Sequence, residues 1–216
     1  MKKIIETIIR WVGLVHWQSR TSSMSDADKK AIWELLAKNH YVVVTWRKNH
    51  LSSYFISLGH FLLGVWAWVR MPGRMPMPKF GCYAHALFNI ERIDNPKVST
   101  DFELVEAVGR GVIPSSFEDV FNCTGACLLE PAIPPESWQA LADRGFDRIG
   151  TAYDFDFNLD DPSKLSCVEL VLFMLKGDLD YEIKYQDLIH EIHLLKNLDP
   201  QMYRDSKSFR VVYETK

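Results

Sequence analysis

Ser166-Cys167-Val168-Glu169, followed by the apolar run LVLFML, is the sharpest chemical signal in the chain. Ser-x-x-Glu ahead of apolar residues is a capping box, in which hydroxyl and carboxylate satisfy backbone N–H groups left open at a helix start. Ser166 is then the N-cap and Cys167 the first helical residue. The partial positive charge of a helix N-terminus favours thiolate over thiol, so a cysteine there is a candidate nucleophile. Backbone N–H groups of the same turn, including that of Cys167, are candidate oxyanion donors. The competing meaning is an inert core cysteine, the commoner fate of this residue type.

A nucleophile needs a base. His85 lies in Tyr83-Ala84-His85-Ala86-Leu87-Phe88, which reads as a strand. A third, acidic group should fix the imidazole tautomer and orientation. Glu106, in Leu104-Val105-Glu106-Ala107, lies on the next expected strand, and antiparallel pairing can set it against His85. The ordinary alternatives are a hydrogen-bonded strand histidine and a solvated strand glutamate.

Other pairings carry less. Asp154 and Asp156 alternate in YDFDF, the pattern of a half-buried strand. A carboxylate pair can bind a metal, but the alternation favours structure, with Tyr153, Phe155 and Phe157 in the core and the aspartates facing polar surroundings. Cys123 and Cys127, with Cys82 or Cys167, could form a zinc site. Their outer spacing is irregular and no neighbouring histidine fits. His190-Glu191-Ile192-His193 places its histidines three apart, not the four of a metalloprotease helix, and reads as a polar helix face. No metal and no cofactor is expected.

The elements that must position these residues alternate without a regular βαβ rhythm, which gives the α+β class. Helices are expected over 25–39, with Ser25 as N-cap and Asp26 and Asp28 in the first turn, over 134–142 with proline in its first turn, over 167–176 and over 185–197. Strands are expected over 41–46, 82–93, 102–108, 127–129, 153–157 and 209–213, and 112–121 reads as a strand end and a short helix. Residues 71–78, MPGRMPMP, form a loop.

Two apolar stretches raise the question of membranes. The start, MKKIIETIIRWVGLVHWQSR, is interrupted by Glu6 and Arg10 and lacks a small-residue cleavage site, so it is expected to be mature protein. Ile4, Ile8, Trp11, Val12 and Val15 fall at helical spacing, which packs on the body or lies on a membrane surface. Residues 51–69 carry no Asp, Glu, Lys or Arg, but serines, glycines and His60 dilute them, and a buried or substrate-lining helix is favoured over a span. The chain of 216 residues divides into an N-terminal helical extension (1–40) and a domain (41–216). Its 47% apolar and 25% charged residues exclude disorder. A net charge of −3 supplies no basic field for nucleic acid. Four cysteines are too few for a disulfide scaffold and point to a reducing, cytoplasmic setting, with membrane association as a second expectation.

In series, the histidine strand YAHALFNIE, the strand and turn LVEAVGRGV, and YDFDFNLDDPSKLSCVELV resemble the permuted papain-like amidases, the YiiX-like branch of the NlpC-related hydrolases. In ordinary papain-like enzymes the cysteine precedes the histidine. Here His85 precedes Cys167, the circularly permuted order. The resemblance covers about residues 41–176. It implies a circularly permuted papain-like (NlpC-type) fold, an antiparallel sheet packed with helices, in which Cys167 is the nucleophile, His85 the base and Glu106 the orienting residue. Tyr83 and Ser166 are expected to contact substrate. The chain departs from the family where Ser166 replaces a frequent aromatic and Val168 a frequent serine, and residues 48–81 form a long apolar insertion. The family implies a thiol hydrolase or acyltransferase acting on a small molecule, a peptide or a lipid: amides of cell-wall peptide or γ-glutamyl type, or lipid acyl groups as in the related lecithin:retinol acyltransferases. The apolar segments lean toward lipid. The alternative is a non-catalytic lipid-binding or membrane-peripheral module on the same fold.

Overall fold

The computed structural model describes residues 23–46, 83–89, 104–134, 137–156, 159–178, 180–195 and 200–215, together with helical residues 58–59, 61–62, 65–66 and 68–70. The N-terminal amphipathic segment, Cys82, the loop at 71–78 and much of 51–69 lie outside them.

Six strands form one antiparallel sheet. They are β1 (Val42–Trp46), β2 (His85–Asn89), β3 (Leu104–Val108), β4 (Gly111–Ser115), β5 (Gly125–Pro131) and β6 (Phe209–Glu214), in spatial order β4-β3-β2-β1-β5-β6. The helices are α1 (Asp26–Leu36), α2 (Phe117–Phe121), α3 (Trp138–Phe146), α4 (Cys167–Leu175), α5 (Tyr181–Lys184), α6 (Gln186–Leu195) and α7 (Pro200–Asp205). The molecule is thus of mixed α+β construction.

Strand β1 explains why the sheet is covered on both sides. Its residues are all buried, and they alternate between two cores. Val42, Val44 and Trp46 enter the core that contains α4, while Val43 enters the one that contains Ile32 and Leu36 of α1. A strand buried on both faces needs a continuous apolar run, which YVVVTW supplies. Each fully buried Val, Leu or Phe contributes about 1.5–3 kcal/mol relative to exposure. Helix α4 is apolar almost all round and correspondingly buried, packed over β2 and β3. Helix α1 begins at Ser25, whose hydroxyl accepts from the Asp28 N–H at 3.1 Å. Asp28 in turn accepts from the Tyr213 hydroxyl at 2.6 Å and ties α1 to β6.

Several elements depart from expectation. Residues 153–156 of YDFDF do not form a strand, and Phe157 lies outside the described residues. Asp154 turns back to accept the Asp156 N–H at 2.9 Å, the side-chain-to-backbone bond by which aspartate competes with extended structure. Asp154 is therefore buried, whereas Phe155 is 69% exposed, the reverse of what simple alternation gives. Helix α3 starts at Trp138, beyond the prolines expected to open it. The helix expected over 185–197 is α6, and the short α5 ahead of it was not expected; Tyr185 lies between them, its ring held between Tyr181 and Phe209. Helix α7, opening on Pro200, has no counterpart in the expected elements. Among the described residues no helix is long and apolar enough to cross a membrane.

Candidate functional site

The register of the sheet brings His85 and Glu106 together. Phe88 pairs with Val105, so Glu106 lies beside Leu87, and His85 is two residues along β2 on the same face. Such diagonal neighbours are within reach of long side chains. His85 Nε2 lies 2.6 Å from Glu106 Oε2. The other carboxylate oxygen accepts from Ser115 Oγ on β4 at 2.5 Å, so three adjacent strands fix the glutamate.

Cys167 reaches the same place from the other layer. Ser166 Oγ accepts from the Glu169 N–H at 3.4 Å, and Glu169 Oε2 accepts from the Ser166 N–H at 2.7 Å, so the capping box is complete. Cys167 is the first residue of α4 and lines the same cleft as His85, close enough to act on the His85 ring. With Nε2 committed to Glu106, Nδ1 is the ring atom left to face the sulfur. Burial pulls the His85 imidazole toward its neutral form. The hydrogen bond and negative charge of Cys167, then those of Glu106, outweigh burial and raise it from 6.5 to about 10. His85 therefore holds its proton, and both ring nitrogens are then donors.

Tyr153 is a second neighbour of the sulfur in the same cleft. Burial, the charges of Cys167 and Glu169, a hydrogen bond to Cys167 and the charge of Asp154 together push its phenol well above 10, so it remains a neutral O–H donor. The strap that carries it is stitched between β4 and α4. Val112 N–H donates to Thr151 O at 2.9 Å, and Leu165 N–H donates to Ala152 O at 3.0 Å. Gly111 permits that approach: its φ is +110°, and a Cβ there would sit 2.6 Å from Thr151 O. The sequence reading placed Tyr153 in the core of a strand. The signal that could have found it is its position at the entry to the motif that ends in the cysteine.

Asp154 and Glu169 are both buried, and the charge of Asp154 acts on the Glu169 carboxyl. Burial, partly offset by bonds from Ser166 and reinforced by the charge and hydrogen bond of Asp154, raises the Glu169 carboxyl.

The expected substrate contacts lie elsewhere. Tyr83 is buried and donates its hydroxyl to Glu214 Oε1 at 2.5 Å. Ser166 is fully buried and occupied in capping. Neither is among the residues that line the cleft. That cleft, of about 640 Å³, opens over Cys167, His85 and Glu106, with Tyr153, Phe155 and Arg110 around it. Its chemistry suits a nucleophilic thiolate with an adjacent proton donor. Cys123 and Cys127 belong to different cores, on opposite sides of the sheet. His190 and His193 are exposed on α6.

No family model matches the chain. A search of the curated proteins finds no match. Among solved structures the fold matches that of the metalloprotein yiiX from Escherichia coli O157:H7, with a TM-score of 0.56 and 14% sequence identity over 82% of this chain and 97% of that one. The fold is YiiX-like.

Proposed function

We propose that this protein is a thiol-dependent hydrolase or acyltransferase on a circularly permuted papain-like fold, acting on an amide or ester through Cys167, His85 and Glu106. The observation that carries the reading is the hydrogen-bonded row His85–Glu106–Ser115 in an open cleft that Cys167, at the start of α4, also lines.

In this mechanism the Cys167 sulfur attacks the substrate carbonyl carbon. The S–C bond forms as the carbonyl π electrons move to oxygen. The resulting oxyanion faces the Cys167 N–H, which at the first helical position has no acceptor within the helix. His85 then passes its Nδ1 proton to the leaving nitrogen or oxygen as that bond breaks, giving an acyl-enzyme. Water or a second acceptor gives its proton back to His85 and attacks the thioester, and the S–C bond breaks to restore the thiolate. Glu106 accepts the Nε2–H throughout and keeps the ring aimed. The substrate classes that fit are cell-wall peptide or γ-glutamyl amides and lipid acyl groups.

The structural relative is described as a metalloprotein. The donors here do not fit that role. His85 Nε2 is spent on Glu106, and among the described residues no group of three or more His, Cys, Asp or Glu side chains could hold a metal ion.

A second reading, peripheral contact with lipid, rests on the helical residues between 58 and 70. Leu62, Trp66 and Val69 are exposed there, and the Arg70 guanidinium lies 4.3 Å from the Trp66 ring centroid. Co-sedimentation with anionic phospholipid vesicles supports it, and no binding opposes it.

The test of the first reading is acyl-enzyme trapping. The protein is incubated with p-nitrophenyl esters of graded acyl length and with γ-glutamyl-p-nitroanilide, and peptides are mapped by mass spectrometry. An acyl adduct on Cys167, absent in Cys167→Ala, is expected. A Cys167→Ala protein that hydrolyses these substrates at the wild-type rate overturns the assignment.

A further inference from the structure

The β3–β4 turn projects one cation into the cleft that the triad does not use. Arg110 is exposed and lines the same cavity as Cys167. Its strand neighbours are the triad's supports, since β3 carries Glu106 and β4 carries Ser115. The turn is fixed in place by the close approach of Gly111 to Thr151. Arg110 therefore stands in that turn, two residues beyond the end of β3, at the rim of the cleft that Cys167 lines.

The rest of the lining defines what could sit between them. Tyr153 and Phe155, with ring centroids 4.8 Å apart, make an aromatic wall. Phe155 is exposed although it is a large apolar side chain, and it flanks the turn at Gly109. Val108, Ile113 and Pro114 continue the apolar surface. Of the other charged residues lining the cleft, Glu106 is engaged by His85 and Ser115, and Asp119 caps α2 through Ser116. Among the described residues Arg110 is the one lysine or arginine in the lining.

We propose that Arg110 is a specificity residue that binds a carboxylate on the substrate, several bonds from the scissile carbonyl and separated from it by an apolar linker that rests on Tyr153 and Phe155. The proposal deepens the thiol-hydrolase reading and rests on it. A guanidinium matches a planar carboxylate with two parallel N–H donors. The one guanidinium carries a single positive charge, which matches a singly charged carboxylate, and Asp119 in the same lining weighs further against a doubly charged phosphate. The substrate class is then an acyl or amide compound with a free carboxyl group remote from the bond that is cleaved.

The test uses Cys167 itself as the reporter. The probes are 6-maleimidohexanoate and its primary amide, which share a reactive ring and a linker and differ in charge. Rates of addition to Cys167 are read by intact-protein mass spectrometry, and N-acetylcysteine is the free-thiol reference. The wild-type ratio of carboxylate to amide rates is expected to exceed the reference by about three- to ten-fold at low ionic strength and to fall with added salt. Arg110→Gln lowers the ratio by that factor, and Arg110→Lys restores part of it. A wild-type ratio no higher than the reference, or one that Arg110→Gln leaves unchanged, overturns the proposal while the thiol chemistry stands. Absence of reaction at Cys167 with either probe overturns the thiol reading and the Arg110 role with it.

Discussion

Replacing Glu106 by glutamine changes one charge and almost nothing in shape. The side-chain oxygen can still accept from His85 Nε2, now separated by 2.6 Å from Oε2, and the amide nitrogen replaces the oxygen that accepts from Ser115. What disappears is a negative charge about 4 Å from the centre of the imidazolium. Both side chains are largely out of solvent, at 25% and 12% exposed, so screening is modest. At an effective dielectric of about 20, two unit charges at that separation interact by about 4 kcal/mol as an upper limit. A neighbouring carboxylate commonly shifts a titration by about 1–3 units. His85, raised to about 10 in the native protein, should therefore titrate about 1–2 units lower in Glu106→Gln. The sign follows from the group. A raised histidine holds its proton below its folded value and loses it as pH rises through that value. The alkaline limit of the thiolate–imidazolium pair must move down with it. The assay is the pH dependence of the His85 imidazole 13Cε1 and 15N shifts, with kcat/KM against pH as the functional counterpart once a substrate is in hand. A native His85 that titrates near 6.5, or a Glu106→Gln titration superimposable on the native one, refutes the reasoning.

Ser166→Ala removes one half of the capping box and should destabilise the fold by about 1 kcal/mol, read as a lower urea midpoint at unchanged slope. Glu169 has a raised folded-state value, so the native state binds more protons than the unfolded chain above pH 4.5, and this group's contribution to stability falls as pH rises through the folded value. Glu169→Gln keeps an acceptor for the Ser166 N–H and gives Asp154 a donor; its stability relative to wild type, by urea unfolding, should improve from pH 5 to pH 7. Gly111→Ala forces an L residue to φ +110° and a Cβ against Thr151 O, so it should lower the melting temperature and slow Cys167 alkylation by displacing the Tyr153 strap.

The parts of the site set by local rules were legible in the sequence. The capping box is a four-residue pattern, and α4 begins where it says. The two-residue period of the strands was enough to anticipate that Glu106 could oppose His85, since antiparallel neighbours leave few registers. What escaped was set by side chains that leave the regular pattern. Asp154 looked like an outward-facing strand residue because its bond to its own backbone is not a feature of periodicity. Tyr153 packs against the core as expected, but its closeness to Cys167 depends on a strap joined to β4 through Gly111, which no periodicity announces. Tyr83 sits two residues from His85, but its hydroxyl is drawn to Glu214, 131 residues away in sequence. Helix α7 is short and packs through Met202 and Tyr203, and six residues carry too little pattern to announce a helix.

The central claim is a nucleophilic sulfur maintained by its neighbours, and competitive alkylation tests it directly. The native protein is treated with limiting iodoacetamide at pH 5.5, and the modified fraction of each of the four cysteines is followed over time by peptide mass spectrometry. The account predicts that Cys167 is modified far faster than Cys82, Cys123 and Cys127, and that His85→Ala removes the difference. Labelling of Cys167 at the same slow rate as the other three would contradict it.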